Sequence, residues 1–163
     1  MGCLGRYTFG VAERATVFWS FRFSWPLTPD SCLLFHTMLS TLDLEAVQAA
    51  HARIRQHIHR TPVLTSEVLN RRVGAQLFFK CENFQRVGAF KARGAFNAVY
   101  LLKPEQLAAG VATHSSGNHA AALALAARTR GIPARIVMPK NTVKAKLDSV
   151  ARYGAEIILC EPT

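Results

Sequence analysis

Two short stretches of this chain hold the residue types that could do chemistry. The first is Phe79-Lys80-Cys81-Glu82-Asn83-Phe84-Gln85-Arg86-Val87-Gly88-Ala89-Phe90-Lys91-Ala92-Arg93-Gly94-Ala95. It reads as a short apolar strand, a polar turn, and a helix that opens on Lys91. The neighbours Gly88, Phe90, Ala92 and Gly94 are small or apolar. An amine among them is expected to lose hydration and to feel the positive end of the helix dipoles. Both effects favour the neutral, nucleophilic form. A neutral lysine amine can condense with a carbonyl to give a Schiff base. The same segment also reads as a first-turn surface lysine whose head group reaches water.

The second stretch is Ser115-Ser116-Gly117-Asn118-His119. It lies between an expected strand, Val111 to His114, and an expected alanine-rich helix, His119 to Arg130. In open α/β sheets ligands sit beyond the carboxyl ends of the strands. A helix N-terminus there offers unpaired N–H groups and a favourable dipole to an anion. Ser115, Ser116 and Asn118 add hydrogen-bonding groups, and Gly117 lets a ligand approach the backbone. A carboxylate or phosphate suits this turn, although a plain Ser/Asn-capped turn reads the same way. Ser116 lacks the G-x-S-x-G frame of a nucleophile elbow. His114 and His119 have no third ligand spaced to join them, so no metal site is expected.

The elements around these stretches follow from periodicity. From Val111 the pattern is strand, helix, strand (Ala134 to Met138), helix (capped by Asn141 or Thr142 and running to Tyr153), strand (Glu156 to Cys160). Such alternation predicts an α/β fold with an open, mostly parallel sheet and flanking helices. The short apolar runs predict strands covered on both faces. Upstream, Ser40 or Thr41 is expected to cap a helix that carries Val47, Ala50, Ile54 and Ile58 on one stripe and ends at Thr61-Pro62. Val63 and Leu64 start an extended piece. Thr65 or Ser66 caps a brief helix closed by Gly74, and Gln76 to Cys81 is a strand. The helix from Phe90 places Ala95, Val99 and Leu102 on one face, and Pro104 stops it or restarts a turn.

Bulk properties narrow the function classes. The chain has 163 residues, 50% of them hydrophobic and 18% charged, which is a globular composition with enough apolar material for a core. The formal net charge of +10 comes from scattered Lys and Arg, without the basic-aromatic stripe of a nucleic-acid binder. It fits an anionic small ligand and a generally basic surface; acidic partner sequence elsewhere is the other reading. Cys3, Cys32, Cys81 and Cys160 form no C-x-x-C pair, and reduced thiols in a cytoplasmic protein are expected. No apolar run reaches the length of a membrane span.

Together the two stretches resemble the lysine segment and substrate loop of fold-type II pyridoxal-phosphate enzymes, most closely the serine/threonine dehydratase and serine racemase group. The resemblance runs from about Met38 to Thr163. It includes Thr61-Pro62-Val63-Leu64-Thr65, Phe79-Lys80-Cys81-Glu82, Gly131-Ile132-Pro133-Ala134 and Tyr153-Gly154-Ala155-Glu156. It implies that Lys91 carries the cofactor and acts as base at the substrate Cα. Phe90 would pack by the cofactor ring, and Asn118 would bond its hydroxyl. Ser115, His119 and the loop backbone, Gly117 included, would bind the substrate carboxylate. Ser116 would stand on the opposite ring face, where racemases use a serine as second acid/base.

The implied activity is β-elimination of water from serine, threonine or 3-hydroxyaspartate, then ammonia release, with racemisation as a companion reaction. A homo-oligomer acting on a small amino acid, without nucleic acid or membrane, is also implied. Ala89 departs from the family's usual serine. The family's glycine-rich phosphate loop, its contact to the pyridine nitrogen and its acidic ligands for a divalent cation lie downstream of the matched region. A truncated, non-catalytic fragment is therefore the alternative expectation. Residues 1–37 differ from the rest: they hold both tryptophans, and Glu13, Arg14 and Arg22 break any secretory signal. Met1-Gly2 begins a myristoylation pattern, but Arg6 stands where Ser or Thr is wanted. Few acids and several arginines fit an organellar transit segment loosely. A leader of non-native character is expected, with the enzyme portion at 38–163 and a small α/β subdomain at about 111–163.

Overall fold

The computed structural model describes residues 43–162. The expectations for residues 1–37 and the capping role of Ser40 or Thr41 lie outside them. Asp43 caps the first helix, α1 (Leu44–Ile54), its carboxylate accepting the Ala46 N–H at 2.8 Å. The stripe expected on this helix is buried only at its end: Ile54 is covered, while Val47 is exposed. The helix also stops at Ile54 and does not run on to Thr61-Pro62. The His57 N–H donates to the Ile54 carbonyl at 2.8 Å, and the His57 ring packs on Phe96 and Tyr100 with centroids 5.4 and 4.3 Å away. The chain leaves the helix to make that contact.

β1 (Val63–Leu64) and β2 (Phe79–Lys80) form a two-stranded antiparallel ribbon around α2 (Glu67–Val73). Ser66 caps α2 and Gly74, at φ 68°, closes it, as the sequence predicts. The strand expected over Gln76 to Cys81 is cut to Phe79–Lys80, because β1 offers two residues for pairing and Pro62 before it has no N–H. Two 3₁₀ turns, Glu82–Phe84 and Arg86–Gly88, then lead into α3 (Lys91–Leu101), followed by α4 (Pro104–Leu107) with Pro104 at its first position.

The remainder is β3 (Val111–His114), α5 (Asn118–Arg130), β4 (Ala134–Pro139), α6 (Lys144–Ala151) and β5 (Glu156–Cys160). The three strands are parallel, in the order β3-β4-β5. This is the predicted α/β alternation. Neither Asn141 nor Thr142 caps α6: the Thr142 N–H is drawn to the Pro139 carbonyl at 3.0 Å in the turn after β4, and Val143 takes the cap position without a side-chain bond. Strand burial alternates and is not two-sided. Ala134, Ile136 and Met138 are buried, whereas Arg135 faces out and pairs with Glu156 of β5 at 2.9 Å. On β5, Ile158 and Leu159 are exposed.

The core lies between α3, α5 and β4. Ala92, Ala95, Phe96 and Val99 of α3 meet the alanines of α5, and Ile136 and Met138 close the sheet side. Small side chains let the two helices approach closely, and α3 packs against α5 more extensively than any other pair of elements. That packing sets the distance between the N-termini of α3 and α5, where both sequence motifs sit. Arg130 fixes the far end of α3 by donating to the Val99 and Leu102 carbonyls.

Candidate active site

Lys91 is the first residue of α3 and Asn118 the first of α5. At the start of α3 the Ala92 and Arg93 N–H groups donate to the Ala89 and Phe90 carbonyls at 3.3 and 3.0 Å, whereas the first amides of α5 have no intrahelical acceptor and offer donors to the same region. A cleft of ≈ 590 Å³ lies there, lined by Glu82, Asn83, Phe90, Lys91, Ser115, Asn118 and His119 among others. A second depression of ≈ 650 Å³ runs along α3 and β3, and Lys91 and His119 border both. The fold thus brings together five of the residues singled out in the sequence: Phe90, Lys91, Ser115, Asn118 and His119.

Lys91 is exposed, not desolvated as its small neighbours predict. Ala92 turns into the core, while Phe90 is 58% exposed and leaves the amine uncovered, its ring centroid 5.0 Å from Nζ. Ser115 is held at the end of β3: its N–H donates to the Val137 carbonyl at 3.1 Å and its Oγ accepts the Gly117 N–H at 3.3 Å. Ser116 and Gly117 are half-buried and line neither cleft. Gly117 is extended, at φ −131°, and a Cβ built on it would meet nothing within 4 Å. No steric need for glycine arises there, and the open space leaves its backbone approachable. His119 is half-buried; loss of hydration, and secondly the Lys91 cation, hold its imidazole below the ordinary 6.5.

The lysine turn carries groups whose roles the sequence did not disclose. The Glu82 carboxylate takes the Arg93 guanidinium in a two-pronged bond, 2.8 Å from Nε and 2.7 Å from a terminal nitrogen, and accepts the Thr61 hydroxyl at 2.5 Å. Hydrogen bonding to Arg93 is the main reason its pKa falls from 4.5 to about 2; desolvation opposes this, while the Thr61 bond and the charges of Arg93 and Lys80 assist. Gln85, 4% exposed, closes the turn onto His59: its Oε1 accepts the His59 N–H and its Nε2 donates to the His59 carbonyl, both at 2.8 Å. Val87 has φ 58°, a left-handed conformation that a β-branched residue adopts only under constraint. A carboxylate and an arginine at Glu82 and Arg93, flanking Lys91, were the only hint of this network in the sequence.

The arrangement can hold a ligand that joins a carbonyl to anionic groups: an amine at Lys91, an exposed aromatic face at Phe90, and helix-end amides with Ser115 and Asn118 beside them. Among the described residues no cluster of His, Cys, Asp and Glu could hold a metal ion, and no helix is long and apolar enough to cross a membrane. Cys81 and Cys160 are free thiols.

The chain is similar to known proteins over most of the described residues. A family model described as "Pyridoxal-phosphate dependent enzyme" matches residues 54–163. A beta-hydroxyaspartate dehydratase of Paracoccus denitrificans (strain Pd 1222) is 60% identical over 119 residues, 73% of this chain and 38% of that protein. A serine racemase of Arabidopsis thaliana is 60% identical over 121 residues, covering 74% and 37% of the two chains. The solved structure of maize serine racemase superposes with a TM-score of 0.72 at 52% identity, over 74% of this chain and 37% of that one. The chain therefore spans between a third and two fifths of the length of these relatives. Fold and family agree with the resemblance read from the two motifs, and the chain belongs to the pyridoxal-phosphate dependent enzyme family.

Proposed function

We propose that this chain supplies the cofactor lysine and the carboxylate-binding turn of an enzyme that eliminates water from a hydroxy amino acid and releases ammonia, with racemisation as a companion reaction. The observation that carries the reading is the shared cleft of Lys91, Ser115, Asn118 and His119. The relatives named as a hydroxyaspartate dehydratase and serine racemases support serine or 3-hydroxyaspartate as substrate, with threonine as the further candidate. Pyridoxal phosphate, when bound, supplies the electron sink for a carbanion at the substrate Cα.

Lys91 would hold the cofactor and, as a neutral amine, would take the Cα proton. Phe90 would pack on the ring face and Asn118 would bond the ring hydroxyl. Ser115, His119 and the backbone of Ser116 and Gly117 bind the substrate carboxylate at the start of α5. The β-hydroxyl leaves as water, and hydrolysis gives a 2-oxo acid and ammonia. Ser116, which lines neither cleft, would have to turn toward the substrate Cα to deliver a proton from the opposite side in racemisation. Residues 38–163 form the amino-terminal portion of this enzyme, 111–163 its small α/β subdomain, in a cytoplasmic homo-oligomer that binds neither nucleic acid nor membrane.

The test is reductive trapping: incubate the purified chain with pyridoxal phosphate, reduce with borohydride, and locate the label by mass spectrometry. Label confined to the Lys91 peptide, and lost in Lys91→Ala, is expected. Label spread evenly over the lysines would overturn the assignment. A second reading, in which the chain keeps the motifs without turnover, is favoured by the exposure of Lys91. Measurable ammonia release from serine or 3-hydroxyaspartate by the chain alone would exclude it.

A further inference from the structure

The inference rests on the reading of Lys91 as the cofactor lysine. One wall of its cleft is a single loop, from Glu82 to Lys91; the rest of the lining is Ser115, Asn118 and His119. Main chain does not join the two ends of that loop. Among the described residues its main-chain hydrogen bonds each reach three residues back: Gln85 to Glu82, Gly88 to Gln85, Ala92 to Ala89 and Arg93 to Phe90. Its middle is strained. Val87 and Gly88 stand in succession at φ 58° and 68°, and a left-handed valine persists only where its surroundings enforce it. The far end is anchored, because Ala92 is fully buried in the core. One side-chain pair ties the near end to that anchor. Arg93, next to Ala92, offers its planar fork to both oxygens of Glu82, 11 residues back in the chain, at 2.8 and 2.7 Å. The pair is largely covered: 31% of the Arg93 side chain and 19% of the Glu82 side chain are exposed. The Thr61 hydroxyl completes it, donating to Glu82 at 2.5 Å. Gln85 fastens the same loop to His59 and supplies no direct link to α3.

We propose that Arg93 is a positioning residue: its two-pronged bond to Glu82 closes the loop and holds that wall of the cleft in the shape that seats the cofactor on Lys91. Arg93 borders the neighbouring depression and not this cleft, so it acts through the loop and not on the ligand. Without the bond, the wall before Ala92 keeps only its local turns and the Gln85 clamp. The left-handed valine then relaxes, and the spacing between the loop and the Ser115 to His119 turn is no longer set.

The test is reductive trapping of the full chain with pyridoxal phosphate and borohydride, reading label at Lys91 against label at the exposed Lys103 of the same molecule, with circular dichroism to establish folding. A change in general reactivity moves both lysines together and leaves that ratio alone. Arg93→Met is expected to lower the ratio about tenfold, within what misplacement of a reacting group costs. Arg93→Lys keeps the charge but cannot meet both oxygens at once, and its ratio is expected to fall between the two. Hydrogen exchange, measured without cofactor, is expected to quicken at Asn83 to Phe90 in both variants and to stay unchanged at Ser115 to Ala120. An unchanged ratio or unchanged exchange at Asn83 to Phe90 in Arg93→Met overturns the proposal. If Arg93→Met does not fold, Arg93→Lys decides on the same two readings. A wild type without preferential label at Lys91 defeats the cofactor reading. The exchange result then still decides whether the pair closes the loop.

Discussion

The turn before α3 and the turn before α5 face one cleft but are built by different means. The Ser115 to Asn118 turn is built mostly from main chain and from neighbours in sequence. It continues a parallel strand into a helix, with one main-chain hydrogen bond to the neighbouring strand and one local bond from the Gly117 N–H to the Ser115 hydroxyl. The lysine turn is fastened by side chains from distant parts of the chain: Gln85 to His59, and Glu82 to Arg93 and Thr61. It also contains Val87 in a left-handed conformation, which costs about 1–2 kcal/mol. A main-chain turn should fail when its strand is displaced. A side-chain turn should fail when one clamp is removed, or when pH discharges it.

The largest effect is expected at the strand. Gly110, at φ 72°, enters β3 with its backbone against Pro133; a Cβ there would lie 2.2 Å from the Pro133 carbonyl oxygen. The adjoining bond, Val111 N–H to the same oxygen, starts the β3–β4 ladder. Gly110→Ala combines left-handed strain with a clash against backbone and should destabilise the protein by ~3 kcal/mol. Chemical denaturation measures the loss. Hydrogen exchange should show faster exchange at Ser115 to Ala120, at the other end of that strand, than at Gln85 to Ala92.

Gln85→Ala is expected to come next and to reverse that pattern. It removes both Gln85 bonds to His59 and leaves the carbonyl only the long contact from an Arg93 terminal nitrogen at 3.5 Å, at a cost of about 2 kcal/mol. Exchange should quicken at Arg86 to Lys91 and stay unchanged at Ser115 to Ala120. Equal acceleration of both segments would show that the turns are one cooperative unit, and the contrast drawn above would fall.

This difference also explains what was legible in the sequence. The β-α-β-α-β order, the position of Lys91 at a helix start and the turn at Ser115 depend on periodicity and on neighbours in the chain, so they could be read directly. The clamps could not. Gln85 and His59 lie 26 residues apart, and Arg93 and Thr61 lie 32 apart, with no periodic signal to connect them. Of the two readings open for Lys91, the surface one holds, for the same reason: small neighbours in sequence cover an amine only if the fold turns them over it, and here Ala92 is buried in the core. Ser116 lines neither cleft, although it lies between two residues singled out with it; adjacency in a turn does not fix which residues border a cleft. The end of α1 was misplaced because His57 docks on α3, a contact made across the fold.

Acid should loosen the two turns in different pH windows. Glu82 has its pKa lowered from 4.5 to about 2. A group depressed in the fold contributes stability that is complete above its unfolded value and is lost as pH falls through the folded one. The lysine turn should therefore weaken between pH 4.5 and about 2. The expected loss is about 1–2 kcal/mol, less than the full linkage value because water screens part of the pair. Glu82→Gln should flatten the stability curve in that window, measured by denaturation at a series of pH values.

The smallest effect tests whether the turns sense each other at all. His119 belongs to the main-chain turn, yet the Lys91 cation of the other turn contributes to holding its imidazole below 6.5, after burial. The sign is again that of a depressed group. The neutral ring is favoured in the fold, so its contribution is complete above pH 6.5 and fades as pH drops through the lowered folded value. Lys91→Ala removes the charge and leaves the burial. The His119 titration, followed by the ring-proton chemical shift, should then move up toward 6.5 without reaching it. Full return to 6.5 would mean that burial plays no part; no movement would mean that the two turns share a cleft without sharing a field. The predicted intermediate value makes the cleft one electrostatic site, assembled from two turns of independent construction.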